Sequence, residues 1–149
     1  MQQDDILSEI ETPKEVLEFA TRMRTALGED EIQKRVANTI TRLGLSECQN
    51  QSIGNWMGER ISGGERKRTS IGYELVTNPS CLLLDEPTSG LDSASAMRVI
   101  EQLKLEANRG MAILSTIHQP SAEILYMFDR VIVMSEGYMI YSGPPDTAR

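Results

Sequence analysis

Two adjacent carboxylates, Asp85 and Glu86, follow the apolar run Leu82-Leu83-Leu84. If that run is a strand of an open α/β sheet, its C-terminal end is where ligands gather. There, Asp85 can hold Mg2+, usually through water, because Mg2+ prefers oxygen ligands and keeps several of its own waters. Glu86 can accept a hydrogen bond from a water and aim it at phosphorus. A turn leaving a strand is the plainer account, yet a charge pair straight after three apolar residues is costly unless it is used or solvated. Ser62-Gly63-Gly64 offers a complementary group. Its glycines let the backbone approach an anion, and the helix expected behind them presents unpaired N–H groups with a partial positive charge. The Ser62 hydroxyl adds a donor, although an ordinary Gly-Gly turn before a helix has the same residues. His118, the single histidine, directly follows a second apolar run, Met111–Ile117. It therefore falls on the same sheet edge as Asp85-Glu86, where it can donate to a phosphate oxygen or hold the glutamate. The Gln3 amide can reach a metal or its water, and Asp92 caps a helix whatever its other role.

These groups need elements to carry them. Thr12-Pro13-Lys14-Glu15 reads as a capping box with Pro at the first helical position. Val16, Leu17, Ala20, Met23 and Leu27 then recur at helical spacing up to Gly28. A second helix runs from about Asp30 to Leu43 with the stripe Ile32, Val36, Ile40, Leu43, and residues 46–60 read as loop. A third helix, about Gly64 to Thr77, is basic at its start and ends at Asn78-Pro79. Leu82–Leu84 lacks alternation, as expected of a parallel strand covered on both faces. A helix capped by Asp92 spans about Ser93–Asn108, with Met97, Ile100 and Leu103 facing inward. Met111–Ile117 is the next strand, Pro120–Phe128 a short helix, and Val131–Met134 with Tyr138–Tyr141 a hairpin around Ser135-Glu136-Gly137. Strands alternating with helices give an α/β layered domain, whose helical first half reads as a subdomain.

Composition narrows the function class. The 149 residues suffice for one core, and 15 basic against 22 acidic residues give a net charge of -7, which argues against a nucleic-acid partner. Cys48, in a polar loop, and Cys81, opening a buried-looking strand, read as free thiols of a reducing compartment. No apolar run approaches the roughly 20 residues of a membrane span, and Met1-Gln2-Gln3-Asp4-Asp5 does not resemble a signal peptide. The chain by itself is therefore expected to be soluble and cytoplasmic.

Taken in order, Gln3, Ile61-Ser62-Gly63-Gly64-Glu65, Leu82-Leu83-Leu84-Asp85-Glu86, Ser89-Gly90-Leu91-Asp92 and His118 resemble the Q-loop, signature motif, Walker B, D-loop and H-loop of ABC ATPases. Ser62–Arg68, Asp85–Ser93 and Ser115-Thr116-Ile117-His118-Gln119-Pro120-Ser121 look like the ABC-G, or White, type of half-transporter. Thr12–Glu15 is similar to that type's Thr-x-Arg-Glu helix start, with Lys14 for Arg, and Gly137–Pro144 resembles its final hairpin.

The resemblance implies a P-loop NTPase-like α/β domain, truncated at its N-terminus. Residues 1–149 would be part of one nucleotide-binding domain, with a helical signature subdomain over about 12–78 and the Walker B to H-loop part over about 79–149. It implies ATP and Mg2+, with Ser62 and Gly64 contacting the terminal phosphate of an ATP held by a second such domain and Gly63 and Glu65 belonging to the same nucleotide-binding loop. Asp85 and Gln3 would attend Mg2+, Glu86 would orient the water, His118 would touch the terminal phosphate, and Asp92 would bridge the pair. It also implies a transmembrane domain facing the helical segment, a place on the cytosolic face of a membrane, and export of a lipid-like or hydrophobic solute. No G-x-x-x-x-G-K-[ST] phosphate loop lies within residues 1–149, so this polypeptide alone is expected not to hydrolyse ATP. Met1 is expected to be an internal methionine of a longer frame. A non-catalytic module that pairs with and regulates an intact subunit is the alternative, and a soluble ABC ATPase of translation or DNA repair a third reading, which the His118-Gln119-Pro120-Ser121 segment and the final hairpin disfavour.

Overall fold

A computed structural model describes residues 7–54 and 60–147. The expected capping box is formed: Thr12 accepts from the Glu15 amide, the Glu15 carboxylate accepts from the Thr12 amide, and α1 (Pro13–Arg24) follows. Val16, Leu17 and Ala20 are buried on it, with α2 (Glu29–Arg42) contributing Ile32, Val36 and Ile40. The third helix, α3 (Gly63–Leu75), crosses both so closely that a Cβ on Gly72 would come within 2.9 Å of Leu17 Cδ2 and of Leu43 Cδ1. Glycine here lets three helices share one core.

The α/β half then builds outward. β1 (Cys81–Asp85) pairs in parallel with β2 (Ala112–Thr116), and the crossover between them contains α4 (Ser93–Asn108). Leu82, Leu84, Val99, Ile100 and Leu103 join the helical residues in one apolar cluster. α5 (Ala122–Leu125) leads to the antiparallel hairpin β3 (Val131–Ser135) and β4 (Tyr138–Gly143). Glu136 and Gly137 both take left-handed φ, 50° and 82°, the backbone of a two-residue type I′ turn that matches strand twist. A 3-10 turn, Pro145–Thr147, follows. Between β2 and β3 lies a cleft of about 540 Å³, lined by Ile113, Leu114 and Ile117 on one side and Val131 to Met134 on the other.

The structure corrects several expectations. β1 is not covered on both faces: Leu82 and Leu84 are buried, while Leu83 and its partner Leu114 are each 61% exposed, because the described elements pack against one face only. Met23 is 69% exposed, and the buried position one turn after Leu17 belongs to Thr21, whose hydroxyl donates to the Leu17 carbonyl at 2.6 Å. The two cysteines exchange environments: Cys48 is buried and Cys81 exposed, both as free thiols. Residues 45–53 have no regular periodicity but are not a solvated loop. Leu45, Cys48 and Ile53 enter the core, and the Ile53 amide donates to Glu11 O at 2.9 Å.

Candidate functional site

The site residues assemble in two groups. In the first, Ser62 caps α3. Its hydroxyl accepts from the Glu65 amide at 3.3 Å and donates to Glu65 Oε2 at 2.7 Å, while its own amide donates to the same oxygen at 2.7 Å. This second capping box leaves the Gly63 and Gly64 amides as first-turn N–H groups without intrahelical acceptors. The hydroxyl foreseen as a phosphate donor is thus directed at Glu65. Both glycines abut the start of α4: a Cβ on Gly63 would lie 3.4 Å from Leu91 Cδ2, and one on Gly64 would lie 3.1 Å from Ser95 Cβ. The structure therefore brings Ser62-Gly63-Gly64 against the segment that Asp92 caps through the amides of Ala94 and Ser95.

Electrostatics favours an ionised Glu65 at the start of α3. Burial pushes Glu65 upward, but the Ser62 hydroxyl and amide, the Arg68 charge and the Cys48 thiol outweigh it, and its carboxyl sits below the ordinary range. Cys48 is the converse: burial first, then the neighbouring Glu65 charge, pushes its thiol up to about 11, so it is an inert neutral donor rather than a nucleophile. Asp92 is held below its usual value by hydrogen bonds from Ser95 and Ala94.

The second group sits at the C-terminal ends of the parallel strands. Asp85 ends β1, and its partner across the ladder is Thr116, the end of β2. The Thr116 hydroxyl donates to Asp85 Oδ1 at 2.5 Å and accepts the Glu86 amide at 3.0 Å. Glu86 takes a left-handed φ of 44°, and Gln119, next to His118, one of 47°. Non-glycine residues pay about 1–3 kcal/mol each for this conformation, and such strain concentrates at functional sites. His118 follows β2 on the edge where Asp85 and Glu86 leave β1, as the sequence suggests. Asp85 and His118 are exposed and Glu86 is half-buried. One adjacent carboxylate pair suits Mg2+, which binds through one or two protein carboxylates plus substrate phosphates; among the described residues no cluster of three His, Cys, Asp or Glu forms a full metal cage. Gln3 lies outside the described residues.

Sequence reasoning assigned no role to Thr116, Ser95 or Cys48. The signal for Thr116 was weak but present: a hydroxyl residue closing the strand that precedes His118.

The ABC transporter family profile matches residues 1–89. ABC transporter G family member 14 of Arabidopsis thaliana is 47% identical over 148 residues, 98% of this chain and 23% of that protein. G family member 5 of Oryza sativa subsp. japonica is 44% identical over 147 residues, 97% of this chain and 19% of that one. The chain thus spans about a fifth of the length of these relatives. Among solved structures, cbiO1 of Clostridium perfringens, part of the ABC transporter complex cbiONQ, superimposes with a TM-score of 0.80 at 31% identity, covering 96% of this chain and 54% of that one.

Proposed function

Because this chain belongs to the ABC transporter family, we propose that it is the signature-to-H-loop part of the ATP-binding and ATP-hydrolysing unit of a G-type transporter. The observation that carries the proposal is the shared edge of β1 and β2, where Asp85, Glu86 and His118 emerge from parallel neighbours. On this reading the Asp85 oxygens and the Gln3 amide hold Mg2+, whose charge offsets that of the nucleotide phosphates. The Glu86 carboxylate accepts a hydrogen bond from the attacking water and orients it at the terminal phosphorus. His118 donates to a terminal phosphate oxygen. The Gly63 and Gly64 amides, with Ser62 and Glu65 shaping the loop, close over the terminal phosphate of a nucleotide held by a second such domain. Asp92 bridges the two domains.

On the same reading the full-length protein couples to a transmembrane domain at the cytosolic face of a membrane and exports a lipid-like or hydrophobic solute; the G-type relatives support the transporter class. Among the described residues no helix is long and apolar enough to cross a membrane. In the full-length protein, Glu86→Gln should lower ATP turnover at least about a hundredfold while ATP binding persists, the scale of losing a positioned base. Turnover near the parent rate would overturn the assignment. A second reading, a non-catalytic module that pairs with an intact subunit, rests on the Gly63 and Gly64 amides, which start α3 and suit a nucleotide held by the partner. Mixing the chain with an intact domain and measuring association and turnover distinguishes the two.

A further inference from the structure

We propose that Thr116 is a positioning residue for the hydrolytic pair, acting through a hydroxyl that ties Asp85 to the backbone of Glu86; this rests on the reading of Asp85-Glu86 as the hydrolytic site. The hydroxyl has one proton to give and lone pairs to receive. The proton goes to Asp85 Oδ1 and a lone pair takes the Glu86 amide. One side chain on the neighbouring strand therefore fixes two carboxylate residues by different means. It sets the rotamer of Asp85 through the carboxylate and the departure of Glu86 through the main chain.

The second tie matters because Glu86 does not continue β1. At a φ of 44° its backbone turns left-handed, and that turn determines where its carboxylate starts from. An extended Glu86 would continue the alternation of the strand and emerge opposite to Asp85. The Thr116 hydroxyl acts where the two geometries diverge. Its own place is fixed by the last rung of the parallel ladder, where Asp85 faces Thr116. The chain leaves β2 through Ile117 to His118, so displacement of Thr116 would also reach the third polar group of the edge. Outer partners that orient metal ligands and bases typically govern activity or metal affinity by about 10–100-fold.

The test uses the full-length transporter of the proposed function. Thr116→Val removes the hydroxyl and keeps a β-branched strand former, whereas Thr116→Ser keeps the hydroxyl. Thr116→Val should lower kcat for ATP hydrolysis about 10–100-fold and leave the dissociation constant of ATP measured without metal unchanged. It should also weaken binding of Mn2+, a paramagnetic stand-in for Mg2+, to the ATP-loaded protein about tenfold by electron paramagnetic resonance. Thr116→Ser should restore both. A Thr116→Val protein with parental kcat and Mn2+ affinity overturns the proposal, as does a Thr116→Ser protein impaired as far as Thr116→Val, since shape rather than the hydroxyl would then matter. Should Thr116→Val melt early, Thr116→Ala carries the same comparison with Thr116→Ser. Glu86→Gln in the same preparation separates the two levels: if it fails to stop turnover, the hydrolytic reading itself is wrong; if it stops turnover while Thr116→Val is silent, only the role of Thr116 falls.

Discussion

Glu65 shows how one carboxylate can shape the first turn of a helix. It accepts both the amide and the hydroxyl of Ser62, and its own amide is received by the same hydroxyl, so the first turn of α3 closes on itself. Truncating the cap in Ser62→Ala should cost about 1 kcal/mol in denaturant unfolding, the usual worth of such a cap. The pH dependence has a definite sign. The folded-state carboxyl of Glu65 lies below its ordinary 4.5, so its stabilisation is present above that value and is lost as pH falls through the lower folded value. Amide exchange at Gly63 to Arg66 should accelerate over that acid window relative to the middle of α3, and Glu65→Gln should remove the dependence. At this scale the sequence was legible where chemistry is local. Ser62, Gly63, Gly64, Asp85, Glu86, Asp92 and His118 could be singled out because glycine pairs, carboxylate pairs and strand ends carry their meaning in adjacent residues. The Thr116 hydroxyl could not, because its role exists only once β1 and β2 are in register. The cysteines were misread because burial depends on which strand face is packed and on how residues 45–53 fold back onto α1, neither of which neighbouring residues specify.

At the scale of elements, α2 and α4 are joined by a buried charge. Glu106, on the last turn of α4, is 1% exposed, and its carboxylate receives the Arg42 guanidinium from the end of α2 and the Arg109 guanidinium from just past its own helix. Removing one member of such a cluster strands the others without a counter-charge. Glu106→Ala should therefore destabilise the folded protein by about 3–5 kcal/mol, read as a lowered denaturant midpoint, with Glu106→Gln less damaging because it still offers an acceptor. A midpoint shift under about 1 kcal/mol would place this cluster with solvent-screened pairs. The helices themselves were readable where caps and apolar spacing agree: Thr12 and Asp92 begin α1 and α4 as expected, and the stripe Ile32, Val36, Ile40, Leu43 is buried. Reading failed where tertiary contacts override spacing. α1 stops at Arg24, whose guanidinium donates to Tyr73 O and Glu74 Oε2 on α3, each at 2.8 Å, so the helix ends four residues before Gly28 and Met23 stays in solvent. α5 is held to Ala122–Leu125 by the Ser121 cap, shorter than the Pro120–Phe128 pattern suggested.

On the scale of the whole molecule, the single apolar cluster reaches from α1 to α5, yet the sheet is covered on one side only. Leu83 and Leu114 are open on the other face, Ile132, Met134 and Ile140 are exposed on the hairpin, and the cleft between β2 and β3 has apolar walls. Contiguous apolar surface of this kind is rare on soluble monomers and promotes association. Among the described residues β2 and β3 each pair with one strand only, and such edges invite strand pairing. Two-stranded sheets are marginal in water: β1–β2 rests on the α4 side through Leu82 and Leu84, whereas β3–β4 is exposed along most of its length. The polypeptide of residues 1–149 in isolation should therefore enhance the fluorescence of an apolar dye such as anilinonaphthalene sulfonate and self-associate at micromolar concentration by light scattering. It should also hydrolyse no ATP above background, because it has no G-x-x-x-x-G-K-[ST] lysine to meet the β- and γ-phosphates. The helical half, whose core is closed around Leu17, Val36, Leu43 and Ile71, should keep its amide protection longest, and the hairpin should exchange first. A monomer with no dye response and uniform protection would show that these faces are satisfied within the chain, and metal-dependent turnover lost in Glu86→Gln would show that a phosphate site exists without that loop.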